Sequence, residues 1–144
     1  MKHMPKIKSV MTPFPYSVEG SAAIREAKEF LMSKRIRHLP VTEDGKLVGM
    51  VSDRDIKLIL GPDFAYPSED ELRVRDVMVK EAYTVSLSEP LDVVLEHMAE
   101  HHLGSVLVTK KGKLVGVFTA TDACRAFAAS LRRQFPPPDG DQAA

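Results

Sequence analysis

The chain has 144 residues, of which 44% are apolar, and its 20 Lys+Arg balance its 20 Asp+Glu to a formal net charge of zero. That length fits one compact domain or two small ones. The balanced charge argues against bulk binding of nucleic acid or another polyanion, which calls for clustered positive charge. Cys124 is the only cysteine, so no disulfide framework can form and a cytoplasmic setting is expected.

The N-terminal stretch Met1–Ile7 lacks the apolar segment of a signal peptide. No run approaches the roughly 18 apolar residues of a membrane span. A short strand is predicted near Tyr16–Val18. Ser21 is expected to cap a helix over about Ala22–Ser33, in which Ile24, Ala27, Leu31 and Phe30 fall at helical spacing. The apolar runs His38–Val41 and Leu47–Val51 flank Glu43-Asp44-Gly45, a hairpin signal. A second helix is predicted from Asp53 to about Leu60, where Gly61-Pro62 stops it. Residues 63–73 are polar and proline-punctuated and read as a surface linker.

The order then repeats. Ser88-Glu89-Pro90 opens a helix with Leu91, Val94, Leu95 and Met98 on one face, a hairpin turns at Lys110-Lys111-Gly112, and a last helix is predicted over about Asp122–Arg133. Cys124, beside Ala123, Ala126 and Phe127, reads as a small buried packing residue of that helix. Residues 134–144, rich in proline, read as a disordered tail.

The repetition is internal and ungapped. From Ile7 to Asp55, each residue aligns with the one 67 positions later, with 14 identities in 49 residues. The unit is therefore β-α-β-β-α, present twice, over residues 7–62 and 74–133. Each copy has only about 65 residues, near the lower limit for a self-sufficient core, so one intertwined body is expected.

Chemistry recurs at the end of each hairpin. Gly49-x-x-Ser52-x-x-Asp55 returns as Gly116-x-x-Thr119-x-x-Asp122. The glycine is expected to let a ligand approach the backbone. The hydroxyl falls at a helix N-terminus, where free N–H groups and the helix dipole favour an anion. The carboxylate can accept two hydrogen bonds from a vicinal diol such as a ribose offers. A bland alternative accounts for the same residues, because Ser or Thr is a common helix cap and Asp suits the first turn.

These stretches, with Val10-Met11-Thr12, Arg37-His38-Leu39-Pro40-Val41 and Gly104-Ser105-Val106-Leu107-Val108, resemble a tandem CBS-domain protein, also called a Bateman module, over about Ile7 to Ala129. The resemblance implies an α+β fold of two β-α-β-β-α units packed sheet to sheet in pseudo-twofold symmetry. It implies two clefts for adenosyl ligands: AMP, ADP, ATP, NAD(H), S-adenosylmethionine or a cyclic dinucleotide. It also implies a homodimer that regulates a partner protein. Carried over by position, Asp55 and Asp122 are ribose-binding. Ser52, Thr119, Arg37, His38, Arg54 and Thr121 are phosphate-binding. Ser17, Val18, Thr84, Val85, Ile36 and Leu103 line the adenine. No cofactor is required; an adenine nucleotide is the regulatory ligand.

The copies diverge where Arg37, His38 and Arg54 become Gly104, Ser105 and Thr121. The expectation is one cleft that gathers the three basic residues and suits polyphosphate, with two sites of unequal affinity. His97, His101 and His102 could face a metal from one helix, but no neighbouring side chain completes a tetrahedral set. There is no nucleophile elbow, P-loop or acid–base frame, so the chain reads as a stand-alone non-enzymatic module. The alternatives are a dimerisation scaffold with empty clefts and a metal-binding stress protein built on the His cluster.

Overall fold

A computed structural model describes residues 3–13, 15–61 and 71–138. In the first copy a 3-10 turn at Ile7–Ser9 precedes β1 (Thr12–Pro13), β2 (Val18–Glu19), α1 (Ile24–Lys34), β3 (His38–Glu43), β4 (Lys46–Ser52) and α2 (Asp53–Leu60). The second copy has α3 (Val74–Val77), β5 (Thr84–Ser86), α4 (Leu91–His101), β6 (Ser105–Lys110), β7 (Lys113–Thr119) and α5 (Ala120–Gln134). The predicted α+β architecture is the one observed, and its two sheets meet along β4 and β7. The turn at Ile7–Ser9 and α3 were not anticipated, being only a turn or so long. The predicted linker lies mostly, and the end of the predicted tail entirely, outside the described residues.

The hairpins form because Asp44-Gly45 and Lys111-Gly112 all take positive φ, between 52° and 80°. That is the twist a two-residue turn needs to match its strands. The equivalent helices α1 and α4 each end on a left-handed residue, Arg35 and His102, at φ 55° and 54°.

One helix cap differs from expectation. Ser21 does not cap α1: its N-cap is Ala23 and that of α4 is Pro90, neither with a side-chain bond. The other copy's backbone serves instead. Ile24 N–H donates to Leu72 C=O at 3.0 Å, and Leu91 N–H donates to Pro5 C=O at 2.9 Å.

That pair belongs to a reciprocal exchange. Ile7 N–H donates to Glu89 C=O at 2.9 Å, and Val74 N–H donates to Ala22 C=O at 2.8 Å. Ile7 is fully buried with Val94, Val106 and Phe118 of the second copy; Val74 is fully buried with Ile24, Leu39 and Val51 of the first. β1 then pairs antiparallel with β7, giving a sheet ordered β1-β7-β6-β5 beside the sheet β2-β3-β4. The mirror contact is a bridge in which Met50 and Val79 exchange backbone bonds at 3.0 and 2.8 Å. Each copy's core is thus completed by the other's entry segment, as befits units too small to stand alone.

The exchange also explains the strand glycines, and corrects their expected role. A Cβ on Gly49 would lie 2.7 Å from Val79 O and 2.9 Å from Met78 Sδ, and one on Gly116 would overlap Met11 Sδ. The glycines admit the crossing segment of the other copy; neither lines the crevices described next.

Candidate ligand-binding crevices

Both strand-to-helix junctions form the same cap. Ser52 Oγ accepts from Asp55 N–H at 3.1 Å, and Asp55 Oδ2 accepts from Ser52 N–H at 3.1 Å. Thr119 Oγ1 accepts from Asp122 N–H at 3.3 Å, while Asp122 Oδ2 accepts from Thr119 N–H at 2.9 Å. These are reciprocal capping boxes. The hydroxyl and one carboxylate oxygen of each pair thus serve the helix start.

The second carboxylate oxygen is where the copies part. Asp122 Oδ1 accepts from Thr12 Oγ1 at 3.4 Å and lies 3.5 Å from Arg125 Nη1. The positions equivalent to Thr12 and Arg125 are Val79 and Leu58, which cannot donate. Asp55 Oδ1 accordingly has no hydrogen-bond partner among the described residues.

Each acid faces a crevice whose opposite wall comes from the other copy. One crevice, of about 530 Å³, sets Thr119, Thr121 and Asp122 against Tyr16, Ile36 and Arg37. The other, of about 350 Å³, sets Ser52 and Asp55 against Tyr83, His97, Leu103 and Ser105. His38 lines both, with Gly104 beneath it: a Cβ there would lie 3.5 Å from His38 Nε2. Burial pushes the His38 pKa below the ordinary histidine value; Asp55 opposes that shift and Arg37 adds to it. Burial, then Glu89, raises the Tyr83 phenol, which stays a neutral donor.

This exchange of walls removes Arg54 from the expected cationic cleft, while Arg37 and His38 stay together in one crevice. Arg37 lies across from Asp122, whereas Arg54 sits on the Asp55 helix and lines neither crevice. The predicted adenine-lining residues divide as well. Ile36 and Leu103 line the crevices, but Ser17, Val18, Thr84 and Val85 do not. Val85 is buried in the second core, Val18 packs against the first, and Thr84 borders a separate depression with Leu47 and Gly49. The residues just before them, Tyr16 and Tyr83, line the crevices instead. Their signal was present as an aromatic at the same place in both copies.

Each tyrosine starts a ladder. Tyr16 meets Phe30 edge-on at 5.3 Å, with Lys34 Nζ 5.0 Å over the Tyr16 ring. At the equivalent positions Tyr83, His97 and His101 stack at 4.0 and 4.2 Å. No three His, Cys, Asp or Glu side chains among the described residues converge on a point that could hold a metal; His102 forms the left-handed cap of α4. Cys124 is exposed, against expectation, because α5 buries none of its residues.

The CBS domain family matches residues 7–61 and 74–129. Protein YlbB of Bacillus subtilis is 33% identical, with 83% of this chain matching 80% of that protein. The L-aspartate semialdehyde sulfurtransferase of Methanocaldococcus jannaschii is 27% identical over 84% of this chain. The chain spans only about a quarter of the sulfurtransferase and of the other enzymes first among its relatives. Among solved structures, the CBS domain pair of protein MJ0100, in complex with 5′-methylthioadenosine and S-adenosyl-L-methionine, superposes with a TM-score of 0.78 at 25% identity, covering 89% of this chain and 99% of that one. CBSX2, in complex with AMP, gives 0.77 at 27% identity, covering 88% and 98%. With two matched copies that interlock through their entry segments, this chain belongs to the CBS domain family as a CBS pair.

Proposed function

We propose that this CBS pair is a non-enzymatic regulatory module that binds adenosyl ligands in its two crevices and signals their presence to a partner protein. One observation carries this reading. Each crevice sets a first-turn aspartate opposite a tyrosine and a branched aliphatic residue of the other copy, Tyr16 with Ile36 or Tyr83 with Leu103. An acid able to hold a diol and an apolar wall able to hold a base match the two halves of a nucleoside. Because each crevice is built from both copies, a bound ligand cross-links them, and occupancy can alter how the pair presents itself. The complexes of MJ0100 and CBSX2 support the same ligand class. We assign Asp55 and Asp122 to the ribose, Thr119, Thr121, Arg37 and His38 to phosphate, Ser52 to the 5′ substituent in its own crevice, and Ile36 and Leu103 to the base, and add Tyr16 and Tyr83. An exposed free thiol fits a cytoplasmic setting.

The module also pairs with a second copy in this reading. Phe127 and Phe135 are 65% and 70% exposed at α5 and its end, and Leu58 on α2 is 73% exposed. Apolar exposure of that extent marks a contact surface.

A thermal-shift screen of adenosine compounds tests the ligand class. A compound at about 100 times its dissociation constant stabilises the native state by about 2.7 kcal/mol, which raises the melting temperature by several degrees. Mass spectrometry of small molecules released from the purified protein identifies the resident ligand. Indifference to every adenosine compound, with nothing adenosyl released, refutes the reading and leaves a scaffold with empty crevices.

A further inference from the structure

The two crevices differ in charge at equivalent positions. The Asp122 crevice is lined by Arg35, Arg37 and His38 against that one acid. Its acid is already flanked by Thr12 and Arg125. Across the repeat, Lys34, Arg35, Arg37 and His38 become His101, His102, Gly104 and Ser105. The Asp55 crevice has no Lys or Arg among its described lining residues, and it holds two acids, Asp55 and Glu81. Its only basic side chains among the described lining residues are His38, His97 and His101, none of them a permanent cation. It is also the smaller of the two, about 350 Å³ against about 530 Å³.

A phosphate chain entering the Asp55 crevice meets two carboxylates and no fixed positive charge to replace its water. An uncharged or cationic 5′ substituent meets no such opposition, and a sulfonium is attracted. In the Asp122 crevice the balance reverses. We infer that the two crevices divide adenosyl ligands by charge. The Asp122 crevice takes a nucleoside polyphosphate, and the Asp55 crevice takes an adenosyl compound without phosphate. This rests on the adenosyl-binding reading above and assigns a ligand class to each crevice.

The test is calorimetry on the full chain near neutral pH, with ATP and 5′-methylthioadenosine as probes. Wild type is compared with Asp122→Asn, Asp55→Asn and Glu81→Lys, each first checked for an unchanged circular dichroism spectrum. The expected result is a crossed pattern. Asp122→Asn weakens ATP at least about tenfold while 5′-methylthioadenosine is held, and Asp55→Asn does the converse. Glu81→Lys, which gives the second crevice a cation, adds a second ATP site. Should a variant fail to fold, competition in wild type decides: saturating ATP leaves 5′-methylthioadenosine binding intact if the crevices are divided. The inference is overturned if ATP fills two equal sites, if one variant abolishes both probes, or if the two compounds compete. If neither probe binds wild type the division is overturned too, and the adenosyl reading falls with it only when the whole thermal-shift screen is also silent, an outcome distinct from the others.

Discussion

Replacing Asp122 by Ala separates the two jobs that its position permits. In the free protein Oδ2 accepts the Thr119 N–H at 2.9 Å, while Thr119 Oγ1 caps residue 122 at 3.3 Å. Truncation removes the first bond, the Thr119 hydroxyl's donation to Oδ2 at 3.2 Å and the long, weak Thr12 contact at 3.4 Å, and leaves the cap, which needs only the backbone N–H. Half of a capping box is lost at a half-buried site that water can reach, a cost of about 0.5–1 kcal/mol. The Arg125 contact is long at 3.5 Å and 75% exposed on the arginine side, so it adds little. A chain of this size should therefore melt about 2–5 °C lower without ligand. The ribose contact is a different matter. A carboxylate holding a diol makes charge-assisted bonds of about 1.5–3 kcal/mol, so binding in that crevice should weaken about 10- to 150-fold. Thermal melts without ligand and calorimetry with an adenine nucleotide measure the two effects separately. If the melting point falls as stated but the affinity changes less than about twofold, Asp122 is a helix cap and nothing more.

The interlock predicts damage at a distance. Ile7→Ala should cost about 2–5 kcal/mol, and hydrogen exchange should show lost protection in α4, β6 and β7, because Ile7 is buried there. Val74→Ala should loosen α1, β3 and β4 instead; loss confined to the mutated residue's own copy would contradict the exchange. His38 has a lowered pKa in the folded chain, so as pH falls through about 6.5 the unfolded chain takes up its proton first. Stability held above that pH should decline below it, and His38→Asn should flatten this part of the profile in urea titrations between about pH 7.5 and about pH 5.5; an unchanged slope would refute it. The proposed pairing through α5 predicts that Phe127→Glu, at a ring 65% exposed in the single chain, yields a monomer in light scattering under conditions where the unaltered chain is a dimer; an unchanged mass would refute it.

Much of the site was legible because its local part is written in short spacings. Asp55 follows Ser52 by three positions, as Asp122 follows Thr119, so strand end, cap and first-turn acid follow from the helix repeat alone. The same regularity misled in two places. Gly49 and Gly116 read as openings for a ligand, and only the packed structure shows Met78 and Met11 in that space. Ser17 and Thr84 were one residue from Tyr16 and Tyr83, a difference that decides which way a side chain points in an extended segment and that no repeat alignment can fix.

Two β-α-β-β-α copies, their hairpins, the paired hydroxyls and acids, and the family can all be read along the chain, since each depends on near neighbours. Which wall faces which acid is settled by packing between the copies. Two copies with the same pattern offer the same contacts within a copy or across copies, so sequence is blind to the choice. The small cores of the units tip it, because each closes only with the other's Ile7 or Val74 inside. That closure sets Arg37 across a crevice from Asp122 and leaves α5 and Cys124 facing outward.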